Sequence, residues 1–288
     1  MKRITHFEGL YGESGPRPDA EYLFSELLET RSENFDWKIK PHIHTNLYQI
    51  FLIETRKTEF LGNNESTWLT GPSILLIPPL AIHGFNYHAT TKGRILTISD
   101  KLVKNMFPVG NGITAMLENL QLLTHYAPPY TFRNVVKLVE ELHEELFSTR
   151  YEKQQMLTAI LQQLFLVLYR VYRQNGAVVQ ERDSLSLSYF RKLQKRISES
   201  GSKYSIDQYA RELGITPVHL NRICNSVAGK SAHQLLQDHL VDEAKKHLRY
   251  TSYTVAEIAY LLNFEYPNYF ARFFKKATGL SPSEFRRM

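Results

Sequence analysis

One cysteine, Cys224, occurs in 288 residues, which excludes a disulfide framework and a cysteine-ligated metal centre. No apolar run approaches the length of a membrane span. The opening MKRITHFEG also lacks the apolar core of a secretory signal. These absences lead us to expect a cytoplasmic protein with no membrane partner. Excess charge is missing from most of the chain as well: residues 1–180 hold 18 Lys and Arg against 18 Asp and Glu, whereas residues 181–288 hold 17 against 11. The whole formal charge of +6 therefore belongs to the last part of the chain, as expected if that part alone meets phosphate. At 43% hydrophobic and 22% charged residues the composition is that of a folded protein, and the length allows two domains.

What the last part does contain is one device used twice. Ile206, Tyr209, Ala210 and Leu213 recur at helical spacing until Gly214 stops the helix. Thr216 then stands at an N-cap position, with Pro217 as the first helical residue and Val218 to Cys224 as a new helix. In the second copy Val255, Ile258, Ala259 and Leu262 form the stripe, Asn263 takes the glycine's place, and Tyr266 to Lys275 make the next helix. Helix, tight turn, helix is the arrangement whose second member enters the DNA major groove. Leu220, Ile223, Phe270, Phe273 and Phe274 are core by spacing, and Cys224 is expected to be packed.

The residues Ala210, Leu213, Gly214, Pro217, Leu220, Arg222, Gly229, Glu243, Ala244, Leu248, Val255, Glu257, Ile258 and Ala259 resemble the DNA-binding domain of the AraC/XylS regulators. The match continues through Phe264, Tyr269, Phe270, Arg272, Phe274, Lys275, Gly279, Ser281, Pro282 and Phe285. Two departures are Asn263, where the family has glycine, and His239, where it has arginine; asparagine tolerates the left-handed backbone such a turn needs. The resemblance implies base-facing positions at Val218, Asn221 and Arg222 on the first recognition helix, and at Asn268, Tyr269 and Arg272 on the second. Arginine suits guanine, asparagine suits adenine, and a valine methyl meets that of thymine. His219 and Lys275 are the expected phosphate contacts.

The first part of the chain reads differently. Residues 1–36, with Gly12, Gly15, Pro16 and Pro18, look like an irregular arm. Trp37 to Arg56, Phe60 to Leu69 around a Gly62-Asn63-Asn64 turn, Gly71 to Tyr87, and Arg94 to Ser99 read as short strands of a small antiparallel barrel. Pro41-His42-Ile43-His44 with Gln49, and Gly71 to His83 with Pro78, resemble the two cupin motifs. In metal-binding cupins two histidines, a glutamate and a histidine of the second motif hold a divalent ion. Gln49 stands at the glutamate's place, and a neutral amide is the weaker ligand, so no metal and no other cofactor is expected. His42, His44 and His83 are instead expected to line a ligand chamber, with Trp37, Phe51 and Phe85 as aromatic walls. One of Tyr48 and Gln49 joins them, because strand neighbours face opposite sides; Tyr48 is the one assigned.

The run from Gly15 to Glu54 is similar to the N-terminal part of AraC-type activators that respond to p-hydroxybenzoate and related acids. It implies a hydroxylated aromatic carboxylate as effector. Thr131 to Phe147 and Gln155 to Tyr172 are amphipathic helices on a short link, hence an antiparallel hairpin that covers the barrel and, by the family's pattern, supplies a homodimer interface. The expected class is α+β: a cupin-like barrel (1–105), a helical segment (106–175), a linker (176–184) and an all-α domain with two helix-turn-helix motifs (185–288). The expected function is non-enzymatic: an effector-controlled, DNA-binding activator of a catabolic operon, with RNA polymerase as a partner. The alternatives are a metal-dependent cupin enzyme fused to a DNA-binding domain, and a regulator whose barrel is a ligand-free interaction module.

Overall fold

The computed structural model describes residues 5–7, 22–55, 57–62, 66–107, 110–175, 185–200 and 204–287. The expected linker at 176–184, the turn residues Asn63 and Asn64, and half of the expected N-terminal arm lie outside these residues. The chain divides into two compact units, Met1–Arg182 and Asp183–Met288.

Among the described residues the first unit holds ten strands in two sheets. One is ordered β1 (Thr5–Phe7), β3 (Lys38–His44), β8 (His83–Asn86), β5 (Lys57–Leu61) and β6 (Ser66–Thr70); the other is β10 (Gln121–Leu123), β7 (Ser73–Ile77), β4 (Leu47–Ile53), β9 (Gly93–Ser99) and β2 (Leu23–Leu27). All pairings are antiparallel except β1 with β3. The expected barrel thus takes the form of two sheets packed face to face. Ile39, Phe60, Leu69 and Phe85 from one sheet meet Phe51, Ile53, Leu75, Ile77 and Ile95 from the other. Each such side chain contributes about 1.5–3 kcal/mol by leaving water.

The second sheet is covered on its outer face too. Ile50, Leu52, Ile74, Leu76, Leu96 and Ile98 pack against α4 (Phe132–Leu146) and α5 (Lys153–Gln174), the expected helical hairpin. This explains why β4 reads as an apolar run interrupted only by Gln49 instead of an alternation: both of its faces are buried. Thr131 and Asn134 close α4 with a capping box, and the Lys153 ammonium donates to Leu146 O (2.6 Å) and Ser148 O (3.1 Å), satisfying carbonyls at its far end. The helical segment expected at 106–175 falls in the same compact unit as the sheets. Residues 1–36 are not irregular throughout. They include β2 and the short helix α1 (Leu28–Glu33), followed by a turn in which Trp37 has a φ of 59°, so the strand expected to start at Trp37 begins at Lys38. Of the two short helices that follow β9, α2 (Asp100–Met106) touches β9 and α3 (Gly112–Leu117) touches α5.

The second unit is helical. It contains α6 (Leu185–Ser200), α7 (Ile206–Glu212), α8 (Pro217–Ala228), α9 (Ala232–Tyr250), α10 (Val255–Leu261), α11 (Pro267–Thr278) and α12 (Pro282–Arg286). Local chemistry sets these boundaries. Ser205/Gln208, Ser231/Gln234, Thr254/Glu257 and Ser281/Glu284 form capping boxes at α7, α9, α10 and α12. Pro217 and Pro267 open α8 and α11, and Gly229 and Gly279 close them in left-handed conformation. The repeat is therefore longer than two helices: it runs through the glycine and the capping serine into a third. Asn263 has a φ of 60° where Gly214 has 69°, so the substitution keeps the turn.

Candidate nucleic-acid interface and sandwich cavity

In the second unit α7 packs on α8 and α10 on α11, and α9 touches both pairs. The buried side of each recognition helix consists of the residues assigned to core: Leu220, Ile223 and Cys224 on α8, Phe270 and Phe274 on α11. Phe273 is partly buried against the same cluster. Burial pushes the Cys224 thiol up to about 12, so it stays protonated at neutral pH. Folded protein is expected to leave Cys224 unmodified by a disulfide reagent under conditions in which urea-unfolded protein reacts fully. Equal rates in the two states would show that α8 does not pack as described.

The opposite sides of the two helices are exposed. Val218 is 81% exposed, and Arg222 lies on the same side with no ion pair among the described residues. On α11, Asn268, Tyr269, Arg272 and Lys275 are exposed. The Arg272 guanidinium lies 4.9 Å from the centre of the Tyr269 ring, which itself meets the Tyr266 ring edge-on at 5.4 Å. This stack holds Arg272 in a restricted set of orientations, which lowers the entropy lost on contacting a base edge. Two expected contacts are placed otherwise. The Asn221 side-chain oxygen accepts from Ala232 N (3.1 Å) at the start of α9, so it is engaged away from the two-bond pattern that reads adenine. His219 is half-buried, its ring 6.3 Å from that of Tyr189 on α6.

The chemistry-bearing feature of the first unit is its interior. His42 on β3 and His83 on β8 are register partners, next to a bulge between Ile39 and His42. Gly84 permits this bulge: a Cβ there would stand 2.7 Å from both Ile39 O and Pro41 N. The imidazoles of His42, His44 and His83 are each at most 2% exposed, and one ligating nitrogen from each lies within 4.8 Å of the others. His42 Nδ1 is 2.9 Å from Lys40 O and His83 Nδ1 is 2.8 Å from Ala81 O. A carbonyl only accepts, so both Nδ1 atoms carry the hydrogen and both Nε2 atoms present lone pairs. His42 Nε2 then accepts from His44 Nε2 at 3.1 Å. Burial holds the His83 imidazole down to about 4. Burial first, then His83 and His44, holds that of His42 far below its ordinary value, so both rings are neutral near pH 7.

His42 and His83 line a cavity of about 20 Å³ together with Gln49, Phe51, Phe85 and Tyr87; the Glu26–Arg31 pair (2.8 Å) lines it as well. That volume accommodates little more than a water-sized particle. His83 Nε2, Gln49 Oε1, Ser32 Oγ and Tyr87 OH are buried there without a hydrogen-bond partner, and each such atom costs about 1–3 kcal/mol. Tyr48 is a correction to the expected chamber: it packs with the α4–α5 cluster on the outer face of β4, and its neighbour Gln49 takes the inward position. Trp37 is a second correction, since it packs at the edge of the core without lining the cavity. His44 reaches the cavity through His42. Sequence reasoning missed Glu26, Arg31, Ser32 and Tyr87. The first three meet across the β2–α1 corner, where no local motif marks a shared surface.

The comparisons with known proteins bear on the second unit first. Residues 209–288 match the family model described as a helix-turn-helix domain. The chain is 25% identical over 213 residues to the urease operon transcriptional activator of Escherichia coli, covering 72% of this chain and 67% of that protein. It is 33% identical over 85 residues to the arabinose operon regulatory protein of Escherichia coli K12, covering 30% of this chain and 29% of that protein. Among solved structures it is similar to ToxT from Vibrio cholerae O395, at 15% identity over 92% of this chain and 96% of that one, with a TM-score of 0.36. No described helix is long and apolar enough to cross a membrane. The carboxy-terminal part of this chain, with its two capped helix pairs on a shared helix and its match over residues 209–288, is a helix-turn-helix domain.

Proposed function

We propose that the protein is a transcription regulator that binds a specific duplex through α8 and α11 and responds to a small ligand held between its two sheets. The observation that carries this reading is the repeat itself: two recognition helices with exposed arginines, both braced on α9. With 19 residues α9 is about 28 Å long, close to the ~34 Å that separates successive major grooves on one face of DNA. Activation, with RNA polymerase as partner, is supported by the activator named among the relatives. A homodimer is supported by Met156 and Leu166, which stay about half exposed on α5. A hydroxylated aromatic acid controlling a catabolic operon would require the interior to open well beyond its present 20 Å³. The non-enzymatic reading is supported by the two similar proteins named as operon regulators.

Selection of binding sites from a random duplex pool by the full chain, followed by footprinting, tests the proposal. Two protected segments about one helical turn apart on one face of the duplex are expected. Binding that is uniform across sequences and vanishes steeply with salt would overturn it.

A further inference from the structure

The three imidazoles and Gln49 form a donor set of one kind. His83 Nε2 and Gln49 Oε1 are buried, have no hydrogen-bond partner, and line the same small cavity. His42 and His83 each anchor Nδ1 on a backbone carbonyl, the arrangement that fixes tautomer and ring orientation in metal-ligating histidines. The cavity is of a size for an ion and not for an organic molecule. Gln49 bears on which ion. Carboxylates favour manganese and magnesium, whereas neutral imidazole-rich sets favour zinc, copper, nickel and cobalt. Glu26, the one carboxylate among the residues lining the cavity, is engaged by Arg31 at 2.8 Å.

We propose that Nε2 of His42, His44 and His83 with Oε1 of Gln49 bind one late transition-metal ion of the zinc, copper, nickel or cobalt class, and that this ion is the regulatory ligand of the first unit. The ion takes the place of the hydrogen between His42 and His44, so His44 passes to the tautomer that carries its hydrogen on Nδ1. Because the four donors are neutral, uptake leaves the ion's charge uncompensated by its ligands. The site therefore binds reversibly, as a sensor requires, where a carboxylate-bearing set would hold the ion more tightly. The regulatory half of this inference rests on the DNA-binding reading above; the binding half does not.

The test uses the full chain, purified without a histidine tag and stripped with chelator. Zn(II), Ni(II), Cu(II), Co(II), Mn(II) and Mg(II) are titrated by calorimetry and thermal unfolding, with Co(II) absorption as a spectroscopic readout. The expected result is one equivalent of a late transition metal raising the midpoint by several degrees, with no response to Mg(II). His83→Ala is expected to abolish the effect, and Gln49→Glu, which keeps the volume, to retain binding and admit Mn(II). Failure of every ion to bind the unsubstituted chain stoichiometrically overturns the proposal, as does binding that survives His83→Ala. Operator affinity is then measured with and without the ion. A change of tenfold or more in either direction supports the regulatory role, and identical affinities overturn that half. Stoichiometric metal binding by a chain that selects no duplex at all would sink the DNA reading and leave the metal site standing.

Discussion

Replacing Arg222 and Arg272 together by alanine is expected to weaken binding to the selected duplex by about 2–6 kcal/mol, from roughly thirtyfold to more than ten-thousandfold, with the fold unchanged. Each arginine is assigned a base edge, and a bidentate arginine–guanine contact is worth about 1–3 kcal/mol. The two residues stand on different helices, α8 and α11, with no shared partner, so their losses add. Both are exposed, and neither belongs to a buried cluster, so nothing in the core is removed with them. Their effects should differ in one respect. Arg272 lies against the Tyr269 ring, so Tyr269→Ala is expected to reproduce part of the Arg272→Ala loss, whereas among the described residues no ring contact holds Arg222. Fluorescence anisotropy at fixed salt, on the specific duplex and on a scrambled one, measures this. A double variant with the affinity of the parent would show that these faces do not read DNA.

Phe270→Ala should have an effect of similar size by the opposite route. Phe270 is two residues from Arg272 on the same helix, but it is fully buried among Leu248, Ile258, Ala259, Leu262 and Phe274. Removing a buried phenylalanine ring costs about 3–5 kcal/mol, from lost transfer energy and the cavity left behind. A unit of this length is stable by only about 5–15 kcal/mol, so much of its margin disappears. Urea unfolding should show the loss, and DNA binding should fail as temperature or denaturant rises, not at the bench optimum alone. A destabilisation below about 1 kcal/mol would mean that the second helix pair is not held by this cluster. Neighbouring residues on α11 thus separate contact from scaffold.

The second unit was legible because its signals are local. A threonine at an N-cap position, a proline at the first helical position, and a glycine or asparagine at a turn each act within a few residues. None depends on what the rest of the chain does. The hairpin of α4 and α5 was legible for the same reason, from one apolar stripe on each helix. The sheets were harder. Alternation tells inside from outside only when one face meets water, and β4 is buried on both. Tyr48 and Gln49 therefore could not be assigned by hydrophobicity, and the polar glutamine proved to be the one that faces the cavity while the tyrosine meets the helices. Trp37 failed differently, because a left-handed residue in a turn breaks the alternation that seemed to begin with it. The contact between Glu26 and Arg31 depends on how β2 meets α1, which no pattern in the sequence encodes.

A strand committed on both sides has little tolerance for change. Along β4, Leu47 and Gln49 to Ile53 are buried, and Tyr48 is half-buried against the helical hairpin. Its backbone is equally engaged, since β7 and β9 pair with it on either edge. A substitution on an ordinary sheet strand has about an even chance of falling on the wet side, where side chains exchange freely. On β4 there is no wet side: a bulkier residue at position 48, 50 or 52 presses on the cluster with α4 and α5, and one at 49, 51 or 53 presses on the interior between the sheets. This seven-residue segment should therefore be among the least variable parts of the protein between related chains, and the poorest place to attach a label or a tag.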